Sequence, residues 1–202
     1  MPQAPSYFLL KARAEQLPLR DRSVRLVIAT PPYFGALGVA QRDCPTRDAG
    51  EYENFLGRVL DEAARVVVPG GCVVLHTTRS PVRKRRGVAR IVFEVLRRPA
   101  RGVRHGELRR VARATFSARY VRLAGIDWAA LPVWVYQRLV RRYSRRGDFV
   151  AHVFSGSGNG ALAALALKRT PVLVDLHYHR LVGRRLREAV AAAASARRRF
   201  SA

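Results

Sequence analysis

The residues best suited to chemistry form a glycine-rich turn between a strand-like stretch and a helix-like stretch. In this turn glycine lets the backbone bend sharply and approach a ligand, and helix N-terminal amides face that ligand. Asp175 follows the next strand, where a carboxylate can accept hydrogen bonds from ribose hydroxyls. The pattern predicts a nucleotide-like cofactor site, with a purely structural turn as the alternative. The residues predicted to bind the cofactor are Phe154, Ser155, Gly156, Ser157, Gly158 and Asp175. The loop lacks the Lys-Ser/Thr ending of a phosphate-binding NTPase loop, which disfavours ATP hydrolysis.

A second group of residues, Thr30-Pro31-Pro32-Tyr33-Phe34, directly follows the strand-like run Val24–Ala29. The two prolines fix φ and predict a rigid turn at the carboxyl end of that strand, where open α/β sheets place ligands. A hydroxyl, two proline carbonyls and two aromatic rings can hold a planar base by its exocyclic amine and stack on its ring. Thr30, Pro31, Pro32 and Tyr33 are therefore candidate catalytic residues, and Tyr33 and Phe34 are candidate stacking residues. An ordinary proline loop with two core aromatics is the alternative.

The elements that would position these turns alternate along the chain between strand-like and helix-like periodicity. A strand, a turn, a helix and a strand in series predict a doubly wound, mostly parallel α/β sheet. Pro69-Gly70-Gly71 is expected to end the first long helix. The predicted strands are Tyr7–Leu10, Val24–Ala29, Cys72–Thr77, Phe149–Phe154 and Val172–Val174; the predicted helices are Tyr52–Val68, Leu131–Tyr143, one that ends at Lys168, and Leu181–Ala196.

Length and composition restrict the class of protein. With 202 residues, 49% of them hydrophobic, the chain can bury the core of one domain, which excludes a disordered tail or a small disulfide scaffold. Cys44 and Cys72 form no ligand cluster, so no metal site is expected. No apolar run approaches the roughly 20 residues needed to cross a bilayer, and no signal peptide is recognisable. These features predict a cytoplasmic protein that does not bind membranes.

The charge is concentrated beyond the first third of the chain. The net charge is +24, yet residues 1–78 hold 9 cations and 8 acids, whereas residues 79–122 hold 15 cations and 2 acids. This asymmetry favours a nucleic-acid surface over the alternative that arginine-rich composition reflects coding bias alone. Residues 79–126 read as a basic insertion, with Arg83, Lys84, Arg85 and Arg86 as candidate phosphate contacts. The alternative is a solvated basic insertion that binds no partner.

Together these motifs resemble those of site-specific DNA amino-methyltransferases, which transfer methyl from S-adenosylmethionine to cytosine N4 or adenine N6. Thr30-Pro31-Pro32-Tyr33 matches the family's catalytic motif, in which Ser, Asp or Asn precedes Pro-Pro and an aromatic residue. The stretch GDFVAHVFSGSGNG is similar to the family's cofactor loop, and Asp175 falls where the family has its ribose-binding acid. The resemblance covers roughly residues 7–78 and 127–190.

The resemblance implies one Rossmann-like methyltransferase domain over residues 1–202, with S-adenosylmethionine as cofactor and double-stranded DNA as substrate. Because the catalytic motif precedes the cofactor loop, the chain is similar to a permuted class whose sheet begins at its third strand and receives its first two strands last. Residues 79–126 then correspond to the target-recognition region of that class. In such enzymes the methyl group passes directly from the cofactor to the base. The resemblance implies that the Thr30 hydroxyl and the Pro31 carbonyl hold the amine of a flipped base. DNA methylation of the restriction-modification type is implied.

Several positions depart from the family's pattern. Thr30 provides an acceptor oxygen without a full charge, which favours cytosine N4 over adenine N6. Two alternatives remain open: a DNA-binding homologue with weakened or lost catalysis, and an RNA methyltransferase. The departures are His152 for aspartate, Val153 for proline, Asn159-Gly160 for Thr-Thr, and Ala12 or Arg13 for an acid near the third strand.

Overall fold

The computed structural model describes residues 6–32, 48–76, 89–97, 112–118, 121, 130–177 and 179–200. Strands and helices alternate over much of this length, as the periodicity predicts, but three strands follow one another between the first and second helices. The strands are β1 (Phe8–Leu10), β2 (Val24–Ala29), β3 (Val67–Leu75), β4 (Ala89–Arg97), β5 (Ala112–Ala118), β6 (Phe149–Val153) and β7 (Thr170–Val174). The helices are α1 (Ala49–Val66), α2 (Val133–Tyr143), α3 (Asn159–Ala166) and α4 (His179–Phe200).

The strands form one seven-stranded sheet in the order β1-β7-β6-β2-β3-β4-β5. The first five strands of this order run parallel, whereas β4 is antiparallel to β3 and β5 is antiparallel to β4. The last two strands of the chain, β6 and β7, thus lie between its first two. This confirms the mostly parallel sheet and the permuted strand order.

The two faces of the sheet are covered by different helices. Successive residues of β2 point to opposite faces, so Val27 packs in the cluster that contains α1, and Ile28 packs in the cluster that contains α2 and α3. A strand buried on both faces reads as an unbroken apolar run, which is why Leu26–Ala29 of β2 shows no alternation. Asp48 caps α1, since its Oδ1 accepts the N–H of Glu51 at 2.9 Å.

The Pro-Gly-Gly sequence lies within β3 and does not end α1. The helix ends at Val66 and the strand begins at Val67, so the predicted boundary is wrong. Between the pairs Val24↔Val67 and Leu26↔Cys72 the register shifts, and β3 accommodates its extra residues as an irregularity. Gly71 is required there, because a Cβ would lie 2.7 Å from the Arg25 carbonyl oxygen.

Two stretches of the predicted basic insertion are part of the sheet. β4 pairs with β3 and β5 pairs with β4, so these stretches extend the sheet beyond β3. Ile91 and Phe93 are fully buried in the core that α2 covers. The sequence obscured this because both strands lie in a strongly basic segment that is interrupted by Pro81 and Pro99 and shows no clear period. Arg83, Lys84, Arg85 and Arg86 lie outside the described residues, so their DNA contacts stay a prediction.

Two observations concern other classes of function, and both apply only to the described residues. None of the described helices is long and apolar enough to cross a membrane. No cluster of three or more His, Cys, Asp or Glu side chains suited to a metal ion occurs among them.

Candidate active site

The two predicted motifs contact each other directly. β2 and β6 are parallel neighbours, so their carboxyl ends meet at one edge of the sheet. There the Thr30 N–H donates to the Val153 carbonyl at 3.2 Å. The Thr30 hydroxyl donates to the Phe154 carbonyl at 2.9 Å, although the two residues are 124 positions apart. The proline turn and the glycine-rich loop therefore border the same crevice.

Tyr52 fixes the proline turn from the side of α1. Its phenol donates to the Pro32 carbonyl at 2.8 Å, and both residues are buried. Its ring lies 6.1 Å from the ring of Phe55, which in turn meets the ring of Phe154 edge-on at 6.0 Å. Helical spacing predicted only that Tyr52 begins a helix, since periodicity carries no information on the partner of a phenol. The aromatic residues of the turn, Tyr33 and Phe34, lie outside the described residues.

Phe154 has a left-handed backbone, with φ of +57°. Such a conformation is costly for a non-glycine residue and persists where its surroundings hold it. Here the Thr30 hydroxyl holds the Phe154 carbonyl, and the next amide, that of Ser155, donates to the Val174 carbonyl at 3.3 Å. The start of the loop is thus held by hydrogen bonds from both neighbouring strands.

The glycines of the loop are required by its geometry. Gly156 and Gly158 have φ of +46° and +75°. A Cβ on Gly158 would also lie 2.9 Å from a methyl carbon of Val182, so α4 could not pack as closely. α3 begins directly after Gly158, so the loop ends at a helix N-terminus.

Asp175 joins the loop to the turn after β7. One carboxylate oxygen accepts the Gly156 N–H at 2.8 Å and the other accepts the His177 N–H at 2.8 Å. The side chain is buried, and its own amide donates to the Leu10 carbonyl at 3.1 Å. A carboxylate oxygen can accept more than one hydrogen bond, so Asp175 can hold the loop and accept from ligand hydroxyls together.

A cavity of about 260 Å³ opens beside Asp175. Its apolar wall comes from Phe55 and Phe154, and its polar wall includes Asp175, Glu15 and His177. The acid expected near Ala12 or Arg13 is absent from those positions, but Glu15 supplies a carboxylate to the same cavity, with its Oε1 3.9 Å from the Arg13 Nε. Glu15 could not be identified from its position in the sequence, because only the fold of the loop after β1 places it beside the cavity.

The chemistry of this cavity fits a nucleoside-like cofactor. Aromatic faces suit a flat base, and carboxylate oxygens suit ribose hydroxyls. In addition, the buried hydroxyl of Ser155, within the loop, has no hydrogen-bond partner among the described residues. A buried hydroxyl without a partner is costly, and a bound ligand would relieve that cost.

Arg185 of α4 supports the far side of the loop. Its guanidinium donates to the Ser157 carbonyl and, at 3.0 Å, to Asn159 Oδ1. The amide of Asn159 in turn donates to the Leu131 carbonyl at 2.8 Å. Asn159, a departure from the family's threonine, thus connects α4, the loop and the chain that leads into α2.

His152 and Gly160, two departures from the family's pattern, are coupled by packing. The His152 ring is fully buried, its centroid lies 5.0 Å from that of Tyr136, and neither ring nitrogen has a partner among the described residues. A Cβ at position 160 would lie 2.3 Å from His152 Nδ1. The histidine therefore occupies the space that a larger residue at 160 would need.

Burial keeps both core histidines neutral at physiological pH. Desolvation lowers the pKa of His76, which follows β3, to about 4. Desolvation likewise lowers the pKa of His152 to about 4, against a smaller opposite effect of Asp175. Neither imidazole can therefore supply positive charge at the crevice near pH 7.

Solved structures of other proteins share the fold of this chain. Neither a family model nor a curated protein matches the chain in sequence. Solved structures do match. A provisionally assigned DNA modification methylase from Thermus thermophilus, complexed with S-adenosylmethionine, superposes with a TM-score of 0.62 at 23% identity, over 91% of this chain and 94% of that one. The PvuII DNA methyltransferase, which is cytosine-N4-specific, gives 0.52 at 11% identity, over 87% of this chain and 85% of that one.

The chain has the fold of these DNA methyltransferases. A second structure of the Thermus thermophilus methylase agrees, with a TM-score of 0.62 at 20% identity over 91% of this chain and 95% of that one. In the methyltransferase fold of this chain, the crevice lies where the carboxyl ends of β1, β7, β6 and β2 meet. Open α/β sheets bind ligands at that edge, where the strand order reverses.

Proposed function

We propose that this protein is an S-adenosylmethionine-dependent DNA methyltransferase that modifies an exocyclic base amine, with cytosine N4 favoured over adenine N6. The hydrogen bond from the Thr30 hydroxyl to the Phe154 carbonyl carries the proposal, because it joins the candidate catalytic turn to the candidate cofactor loop. A methyl donor held by the loop and an amine held by the turn would then be neighbours. Solved structures with this fold include a cofactor complex and a cytosine-N4-specific enzyme.

The cofactor would occupy the cavity beside the loop. Asp175 and Glu15 would accept hydrogen bonds from the ribose hydroxyls, and Phe154 and Phe55 would contact the adenine. Ser155, Gly156, Ser157 and Gly158 complete the cofactor-binding set that we propose. S-adenosylmethionine supplies an electrophilic methyl group when it is bound there.

The Thr30 hydroxyl is oriented to act as an acceptor. Its hydrogen is committed to the Phe154 carbonyl, so its oxygen lone pairs remain for a donor such as a base N–H. In the proposed mechanism this oxygen and the Pro31 carbonyl hold the NH2 group. Tyr52 fixes the adjacent Pro32 carbonyl and so stiffens the turn. Orientation of this kind can supply several kcal/mol of the barrier reduction.

The target base would be flipped out of the duplex and stacked on Tyr33 and Phe34, at a cost of a few kcal/mol. Thr30 is a neutral acceptor, in contrast to an aspartate, and this property supports cytosine N4 as the favoured target. Neither described histidine near the crevice, His76 or His152, is needed as a general base. The reaction is direct, without a covalent enzyme intermediate.

Double-stranded DNA is the proposed substrate. Residues 79–126 would form the target-recognition region, and Arg83, Lys84, Arg85 and Arg86 would contact phosphates. The excess of cations over acids in residues 79–122 supports this assignment.

The pair His152 and Gly160 favours a second candidate function, a DNA-binding homologue with weakened catalysis. The family's aspartate at position 152 is absent, and the neutral histidine there cannot supply its charge. Such a homologue would bind DNA and bind the cofactor weakly or not at all.

The test compares Thr30→Val with Thr30→Ser. Both substitutions change the volume of the side chain little, but only serine keeps the hydroxyl. With tritiated S-adenosylmethionine and genomic DNA, we expect methyl transfer in wild type, retention in T30S, and a loss of at least about tenfold in T30V, since one such hydrogen bond is worth about 1.4 kcal/mol or more in a buried site. Unchanged transfer in T30V would contradict the mechanism.

Calorimetry separates the two candidate functions. Asp175→Asn should weaken S-adenosylmethionine binding, because the uncharged amide is a poorer acceptor for hydroxyls. Glu53→Gln, at an exposed position of α1, is the control and should bind as wild type does. Wild-type protein that binds DNA but shows no cofactor binding would support the weakened homologue and overturn the enzyme.

A further inference from the structure

A groove rich in arginine lies at the amino-terminal edge of the sheet, opposite the crevice. A cavity of about 610 Å³ is lined by Arg25, Arg97, Arg142, Tyr143 and Arg145. A second cavity of about 670 Å³ shares the first cavity's Arg97, Arg142 and Tyr143, so the two are continuous. We call this joined surface the arginine groove.

The second cavity extends the same charge, since Arg113, Arg138 and Arg141 line it as well. Among the described residues, no Asp or Glu lines either cavity, and none of these arginines forms an ion pair. The nearest acids along the chain are Glu94, which lies opposite Arg113 across β4 and β5, and Asp148, which accepts the backbone N–H of Arg145 at 2.7 Å. Unneutralised guanidinium groups in one groove produce a positive potential that attracts polyanions.

Aromatic rings hold the guanidinium groups without neutralising them. The Cζ atoms of Arg97 and Arg142 lie 5.9 and 5.8 Å from the ring centroid of Tyr143. Arg138 lies 5.6 Å from the ring of Trp134, an exposed residue. Cation–π contacts orient the guanidinium and leave its N–H donors for phosphate oxygens, which arginine binds in a bidentate manner.

The groove and the crevice lie at opposite edges of the sheet, so a straight duplex seated across the crevice does not also cross the groove. Arg25 and Thr30 lie near opposite ends of β2, and five residues of strand at about 3.3 Å each span about 17 Å. Duplex DNA is stiff over about 150 base pairs, so a duplex on one edge does not bend round to the other. A ligand of the groove is therefore a separate segment.

We propose that the arginine groove binds the phosphate backbone of a second segment of duplex DNA, so that one chain contacts two DNA segments at once. The choice of DNA rests on the proposed function, whereas the position and charge of the groove do not. Duplex DNA presents one negative charge per about 1.7 Å of its axis, which suits a row of arginines.

The first experiment measures binding of a duplex of about 16 base pairs, a length of the order of one binding site, by fluorescence anisotropy over a range of salt concentrations. The groove variant is Arg97→Gln/Arg142→Gln. The control variant is Arg58→Gln/Arg184→Gln, which removes the same charge from exposed positions on α1 and α4. Because each phosphate contact contributes about 0.9 to the slope of log K against log salt, the groove variant should lose about 1.8. Equal changes in the two variants would overturn the proposal.

The second experiment measures bridging. Energy transfer between donor-labelled and acceptor-labelled duplexes should rise with wild type and with the control, and should be lost in the groove variant. Competition by poly-glutamate as strong as that by unlabelled duplex would favour an acidic protein partner and contradict the proposal. Stronger competition by duplex RNA than by duplex DNA would contradict it as well.

These outcomes remain distinct from those that test the proposed function. If wild type bridges DNA but transfers no methyl group, the proposed function is wrong and DNA binding by the arginine groove is supported. If wild type methylates a short duplex but the groove variant bridges as well as wild type does, the groove fails and the function stands.

Discussion

Replacing Gly160 with alanine tests whether His152 and the first turn of α3 are packed as one unit. The new Cβ would lie 2.3 Å from Nδ1 and 2.6 Å from Cε1 of the buried ring, so the ring or the helix must move. Overpacking of this kind costs about 1–3 kcal/mol. Removing a glycine from a helix returns about 0.5–1 kcal/mol. We therefore expect G160A to lower the free energy of unfolding by about 1–2 kcal/mol.

The partner variant, His152→Ala, removes the ring and leaves space. In that background Gly160→Ala should be neutral or stabilising by up to about 1 kcal/mol, which is a coupling of about 1–3 kcal/mol between the two positions. Urea unfolding followed by circular dichroism gives all four free energies. In a domain of this size the G160A change corresponds to a fall in Tm of about 2–8 °C. Equal effects of G160A in both backgrounds would refute the packing argument.

Three further outcomes are expected. Tyr52→Phe should lower kcat for methyl transfer about fivefold or more, because the proline turn loses a buried hydrogen bond worth about 1 kcal/mol or more, while the Kd for S-adenosylmethionine stays as in wild type. An equal effect on kcat and Kd would show that Tyr52 stabilises the fold in general and not the turn in particular. Arg185→Lys should weaken S-adenosylmethionine binding, measured by calorimetry, since lysine lacks the fork that bridges the loop, and the exposed Arg184→Lys should not. The free energy of unfolding should fall as the pH falls from about 6.5 to about 4, by up to about 1.4 kcal/mol per pH unit for each of His76 and His152. The reason is that these histidines bind protons in the unfolded state over this range but stay neutral when buried in the folded state. Urea midpoints that do not change over this pH range would contradict the prediction.

The parts of the fold that local pattern predicted are those buried on both faces. β2 and β6 read as mostly apolar stretches, with Arg25 and His152 as exceptions, and each is followed by one of the two loops of the candidate site. The parallel order followed from the alternation of strands and helices. The motif order indicated the permutation, since the candidate catalytic turn precedes the candidate cofactor loop along the chain.

The remainder depended on contacts between distant residues. Pro69-Gly70-Gly71 looked like a helix stop, but Val67 and Cys72 on either side of it pair with β2, so it forms an irregularity within β3. Glu15 was not distinguishable from any surface acid until the loop after β1 placed it in the cavity. Arg185 read as one cation of a basic helix, and only its contact with Asn159 shows its role in supporting the loop.

Nucleoside mass spectrometry tests the central claim most directly. Duplex DNA incubated with the full chain and methyl-deuterated S-adenosylmethionine is digested to nucleosides, and the labelled product is identified. We expect deuterated N4-methylcytosine; labelled N6-methyladenine would reverse the base preference and keep the enzyme class. The absence of any labelled nucleoside, under conditions in which the protein binds both DNA and the methyl donor, would contradict the account.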